Sequence, residues 1–135
     1  MKKIFVDTNI VMDLLQKREH FYLEAQELFT LADKKKIKIN VSALTFTTTH
    51  YLLAKHFNAT DARKILTKFK ILVTVLPVDD KTIDLALVSD FTDFEDAVQY
   101  YTAIENNMEI ILTRNKKDFK RSALPVLTAN EFLRR

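Results

Sequence analysis

Lys3-Ile4-Phe5-Val6-Asp7-Thr8-Asn9 decides how this chain is read. Ile4, Phe5 and Val6 form an unbroken apolar run, as a short strand buried on both faces requires. Asp7 closes the strand, which spans residues 3–6. Ile10, Val11, Leu14 and Leu15 then recur at the spacing of one helix face over residues 9–17. A strand that passes through an acid into a helix is the opening unit of an α/β sheet. In such sheets ligands bind outside the carboxyl ends of the strands. Asp7 therefore has two readings: an N-cap for the helix, or an acid aimed into a ligand crevice.

The same alternation continues outward. Phe21, Ala25, Leu28, Phe29 and Ala32 mark a helix over 21–33, and Ile37-Lys38-Ile39-Asn40-Val41 alternates like a strand. Ser42 follows as a candidate N-cap for a helix over about 43–57. Ala62, Ile65, Leu66 and Phe69 face inward from a helix over 61–70. The apolar run 71–76 ends at Pro77 and supplies a buried strand. Helices over 80–88 and 93–105 come next, the second with a stripe of Phe94, Ala97, Val98, Tyr101 and Ile104. Residues 109–113 read as a strand and Val126-Leu127 as a short last one. Thr128 is placed to cap a terminal helix that carries Phe132 and Leu133. The expected fold is a single α/β domain over 1–135, a three-layer α/β/α sandwich around a parallel sheet of four or five strands.

Composition removes several classes of function. The 135 residues include no cysteine, which excludes disulfides and thiolate metal sites. With three histidines, His20, His50 and His56, an imidazole zinc site is disfavoured, and oxygen ligands suited to Mg²⁺ or Mn²⁺ are the expected metal chemistry. Glycine is absent, so the phosphate-cradling loops of Walker and dinucleotide type are ruled out. Turns and helix ends must instead use residues such as Asn58 and Asn107. Net charge is +3, and the basic residues cluster: Lys34, Lys35, Lys36 and Lys38, then Arg114, Lys116, Lys117, Lys120 and Arg121. No stretch resembles a signal peptide or a membrane span, so a cytoplasmic location is expected, with no membrane partner.

Asp93 and Asp96 are three residues apart and share a helix face. Glu95 is expected to point elsewhere, to the surface. Asp118 lies in Leu112-Thr113-Arg114-Asn115-Lys116-Lys117-Asp118-Phe119, just after a strand, with Thr113 and Asn115 placed to hydrogen-bond a metal-bound water. The plainer readings are solvated acids in a helix's first turn and a surface ion pair. Asp7, Asp96 and Asp118 nevertheless fall where a parallel sheet gathers residues at one edge. Crowded carboxylates raise one another's pKa unless a cation shares the site, and a divalent ion does so.

In order and spacing, Val6-Asp7-Thr8-Asn9, Val41-Ser42-Ala43-Leu44-Thr45, Asp93-Phe94-Glu95-Asp96-Ala97, Leu112-Thr113-Arg114-Asn115 and Asp118-Phe119 resemble the PIN-domain family. The resemblance covers essentially the whole chain. It implies a metal-dependent ribonuclease of the kind found as toxins in toxin–antitoxin pairs, with Asp7, Asp96 and Asp118 as catalytic metal ligands. Asn9, Asp93, Asn115 and Thr113 would be supporting groups. Arg114, Lys116, Lys117 and Lys120 are expected to rim the site and bind RNA. An antitoxin protein and a second copy of the chain are candidate partners. One departure stands out: the family usually has a glutamate six residues after the serine of Val-Ser-Ala-Leu-Thr, and this chain has Thr48. His50, two residues on and about 200° around the helix, does not replace it.

Two other classes compete. A catalytically weakened RNA-binding or regulatory protein would fit Thr48. A phosphohydrolase using Asp7 as nucleophile would want an acid two residues later, where this chain has Asn9.

Overall fold

Ile4 and Val6 point to one side of the first strand and Phe5 to the other, and this alternation sets the layers. A computed structural model describes all of residues 1–135. Its strands are β1 (Lys3–Val6), β2 (Lys38–Ser42), β3 (Val73–Leu76), β4 (Ile110–Leu112) and β5 (Val126–Leu127). Its helices are α1 (Thr8–Leu15), α2 (Tyr22–Asp33), α3 (Ala43–His56), α4 (Ala59–Lys70), α5 (Asp80–Leu87), α6 (Phe94–Glu105) and α7 (Ala129–Leu133). The five strands form one sheet in the order β3-β2-β1-β4-β5, with every pair parallel. The expected three-layer α/β architecture is the one observed.

Ile4, Val6, Ile39, Val41, Ile110 and Leu112 pack on Ile10 and Val11 of α1 and on Ala25, Leu28 and Phe29 of α2. On the opposite face Phe5 and Ile111 pack on Tyr100 and Ala103 of α6, with Phe119 closing that layer. Each face of the central strands is therefore covered, which is why they read as continuous apolar runs.

Local signals explain most boundaries. Side chains of Asp7, Ser42, Asn58, Asp79, Asp93 and Thr128 each accept a backbone N–H at a helix start. Thr128 and Glu131 complete a capping box. Asn58 is thus a cap in extended conformation and not a left-handed turn residue, and α4 starts earlier than its apolar spacing suggested. Asn107 does take positive φ, as do Lys17, His20 and Lys35. Residues 71 and 72 form a turn, so β3 is the last part of the apolar run. Phe94 is exposed, and the buried side of α6 includes Gln99 and Thr102. The inward face of α6 is wider and more polar than its apolar stripe.

Candidate active site

The sheet order reverses direction between β1 and β4, and at such a switch point two neighbouring strand ends open a crevice. Asp7 leaves β1 there, its N–H donating to the Leu112 carbonyl of β4 at 2.9 Å. The helix-cap reading of Asp7 is the one its bonds show directly. Its Oδ1 caps α1 through the Thr8 N–H at 2.8 Å, and Oδ2 accepts from the Thr113 hydroxyl at 2.9 Å. Burial pushes its pKa up. The bonds from Thr113, Thr8 and Gln99 oppose that rise, and the charge of Asp118 adds to it.

Thr113 is fully buried and fixes the directions of these bonds. Its oxygen receives the Asn9 side-chain amide and the Asn115 backbone N–H, each at 3.2 Å, so its own proton goes to Asp7. Asn9 also accepts the Arg114 N–H at 3.2 Å, tying α1 to the end of β4. Asn115 contributes its backbone here; its side chain makes no capping bond.

Gln99 was not anticipated. It is 1% exposed, and its Oε1 accepts from Ser42. Its amide nitrogen lies 3.0 Å from the hydroxyls of Thr8 and Thr45 and 3.3 Å from Asp7 Oδ1, three acceptors for two protons. The signal available in the sequence was a glutamine three residues after Asp96, one turn along the same helix face, embedded among apolar neighbours.

The acids of α6 divide their work. Asp93 caps the helix, accepting the Asp96 N–H at 3.0 Å. The carboxyl of Asp96 is pushed up to about 7, first by burial and then by the charges of Asp93, Asp7, Asp118 and Glu95. Glu95 is solvent-exposed, as the sequence suggests, but it does not point away from the acids of the site. Lying four residues before Gln99, it shares the face that reaches Asp7, and the Thr48 hydroxyl donates to it at 3.4 Å. Burial, then Asp93 and Asp7, raise its pKa against that bond.

Asp118 sits on a short 3-10 helix, Lys116–Phe119, whose buried Phe119 anchors it to the core. With Asp93, Asp96, Lys117, Lys120 and Arg121 it lines a cleft of about 340 Å³. Asp7 does not line this cleft; it is buried beside it, within charge range of Asp96 and Asp118. A larger, open hollow of about 570 Å³ along α4 is lined by no acid.

The basic residues separate. Lys117 and Lys120 line the acidic cleft, as expected of rim residues. Lys116 is paired with Glu131 at 3.0 Å. Arg114 does not reach the cleft: its guanidinium pairs with buried Asp13 at 3.1 Å and lies over the Phe21 ring at 4.0 Å. It is held inward because Asp13, 2% exposed, is a buried charge that needs a counter-charge.

Asp7, Asp93, Glu95, Asp96 and Asp118 make no ion pair with any basic side chain. Their charges are left facing one another. No three acidic side chains close on an ion by themselves. An all-oxygen, unneutralised set of this kind fits Mg²⁺ or Mn²⁺, which retain waters and take only a few carboxylates. It does not fit a tight nitrogen or sulfur cage.

Residues 3–117 match the family model described as PIN domain. The chain belongs to the PIN-domain family. This PIN domain is 29% identical over 142 residues to a protein of Aquifex aeolicus (strain VF5) called Ribonuclease VapC1, covering 99% of this chain and 95% of that one. Its fold is similar to that in DNA-bound VapBC from Salmonella typhimurium, with TM-score 0.72 and 17% identity over 96% of this chain and 99% of that one. It is also similar to VapC20 of Mycobacterium tuberculosis, described as a sarcin-ricin loop cleaving toxin, with TM-score 0.63 and 19% identity over 80% and 86% of the two chains.

Proposed function

We propose that this PIN domain is a divalent-metal-dependent ribonuclease, with Asp7, Asp96 and Asp118 as metal ligands, and that it acts in the cytoplasm as the toxin of a toxin–antitoxin pair. The observation that carries the reading is the gathering of unpaired carboxylates at one switch point, with Asp96 pushed up to about 7. The similarity to Ribonuclease VapC1 supports RNA as substrate, and the VapBC neighbour supports an antitoxin protein as partner.

The residues have separable tasks. Thr113, Thr8 and Gln99 hold both oxygens of Asp7, so that acid is fixed before any ligand arrives. Asn9 locks Thr113 in its donating orientation. Asp93 positions Asp96 through the helix cap. Lys117 and Lys120 attract the RNA backbone to the cleft. A bound Mg²⁺ or Mn²⁺ supplies activation of water and charge stabilisation at phosphorus.

A second reading, a catalytically weakened RNA-binding or regulatory protein, draws on two observations. Residue 48 is a threonine, and no three acids enclose an ion by themselves. Incubation of a labelled single-stranded RNA with Mn²⁺, with Mg²⁺ and with chelator separates the two. Cleavage that needs the metal supports the enzyme. RNA binding with no cleavage under any condition supports the regulator.

A further inference from the structure

We propose that Glu95 is a further metal-facing carboxylate of this site, steadied by Thr48 across the gap between α3 and α6. The inference rests on the metal-dependent reading above; Glu95 is solvent-exposed, as the sequence suggests, and its carboxylate lies within charge range of Asp93 and Asp7.

The placement follows from helix geometry. Glu95 lies one turn before Gln99, and side chains four apart on a helix lie over one another. The Gln99 amide reaches Asp7 Oδ1 at 3.3 Å, so the stripe through residues 95 and 99 faces Asp7. From the opposite side, Thr48 of α3 donates its hydroxyl to Glu95 Oε1 at 3.4 Å. That contact is long for an O–H···O bond, and it orients one oxygen only. The other oxygen has no protein donor, and no lysine or arginine pairs with the carboxylate.

An exposed carboxylate near Asp93 and Asp7 without a counter-charge is partly relieved by water, and a cation bound among these acids would relieve the repulsion further. The chain carries 21 lysines and arginines, and none is spent here, although Asp13 draws two arginines at the other end of α1. Residue 48 contributes no charge of its own. Its hydroxyl instead steadies a carboxylate delivered from the facing helix, so the site has the negative charge that α3 does not provide. The simpler role, a clamp between α3 and α6, makes a different prediction: loss of the contact would lower stability and leave metal affinity alone.

Calorimetric titration of Mn²⁺ into the metal-free full chain, with unfolding measured alongside, tests this. Glu95→Gln should weaken Mn²⁺ binding roughly tenfold. Metal-free stability should hold or rise, because a repelling charge is removed. Thr48→Val should weaken binding less. Thr48→Glu added to Glu95→Gln should restore affinity by returning the charge from the other helix. If Glu95→Gln binds Mn²⁺ like wild type while Asp7→Asn binds it poorly, Glu95 has no part in the site and the metal reading survives. If wild type takes up no Mn²⁺, both fall.

Discussion

Gln99 Nε2 lies 3.3 Å from Asp7 Oδ1 and 3.0 Å from the hydroxyls of Thr8 and Thr45, so one amide from α6 joins the ends of β1 and β2 beneath the acidic cleft. Replacing Gln99 with Met keeps its volume and removes every bond. Buried Ser42, Thr45 and Asp7 then lose a partner, which should cost about 1–3 kcal/mol in denaturant unfolding. RNA cleavage should fall roughly 10- to 100-fold, as when groups behind a ligand are lost. A variant of unchanged stability would show that the network is idle.

The pH dependence follows from Asp96. The folded chain holds its proton up to about 7, whereas the ordinary value is 3.8. Between these values the native state binds more protons than the unfolded one, so metal-free stability falls as pH rises from about 4 to about 7 and levels off above. Asp7 and Glu95, both raised, act with the same sign. Asp79 and Glu131 are lowered, and their contribution is lost only as pH falls below the ordinary carboxylate range. The difference between wild type and Asp96→Asn isolates the effect: the variant should gain relative stability from pH 4 to 7. A flat difference contradicts the crowding of these acids.

Arg114 and Lys117 are near neighbours in sequence and should behave oppositely. Arg114→Met leaves buried Asp13 with only the longer pair to Arg18 at 3.8 Å and should destabilise by about 2 kcal/mol, less than loss of a fully buried pair because Arg18 remains and the Arg114 side chain is 30% exposed. The salt dependence of RNA binding should not change. Lys117→Ala and Lys120→Ala should leave stability alone and each reduce the slope of log affinity against log salt by about 1. Filter binding over a salt series reads this directly.

Lys35 occupies the left-handed residue after α2, with φ 59°. Its N–H bonds the Ala32 carbonyl at 3.0 Å and the Lys36 N–H bonds Leu31 at 2.9 Å, the paired bonds of a Schellman ending. Glycine is the usual residue there, and this chain has none. Lys35→Gly should raise stability by about 1 kcal/mol, read as a shift in the unfolding midpoint. Asn107 tolerates the same conformation better, so Asn107→Gly should gain less.

The strands and caps were legible because each signal is local: Ile4-Phe5-Val6 before Asp7, Ser42 and Thr128 before helices, Pro77 after an apolar run. Asp7 and Asp118 were legible because acids after strands in a parallel sheet meet at a known place. Glu95 and Gln99 were not, because their meaning lies across the fold. Only the packing of α6 against α3 and β1 shows that Gln99 faces inward and that exposed Glu95 meets Thr48. Arg114 misled for the same reason. Its neighbours in sequence are basic and exposed, but its partner, Asp13, is a hundred residues away on α1.

Whether Asp7, Asp96 and Asp118 hold a catalytic metal is read from the cleavage rate of a single-stranded RNA in Mn²⁺ by wild type, Asp7→Asn, Asp96→Asn and Asp118→Asn, each shown to be folded by circular dichroism. Wild type should cleave only with metal present, and all three variants should fall to background rates. Wild-type rates in any one of them, or equal cleavage with chelator present, would contradict that role.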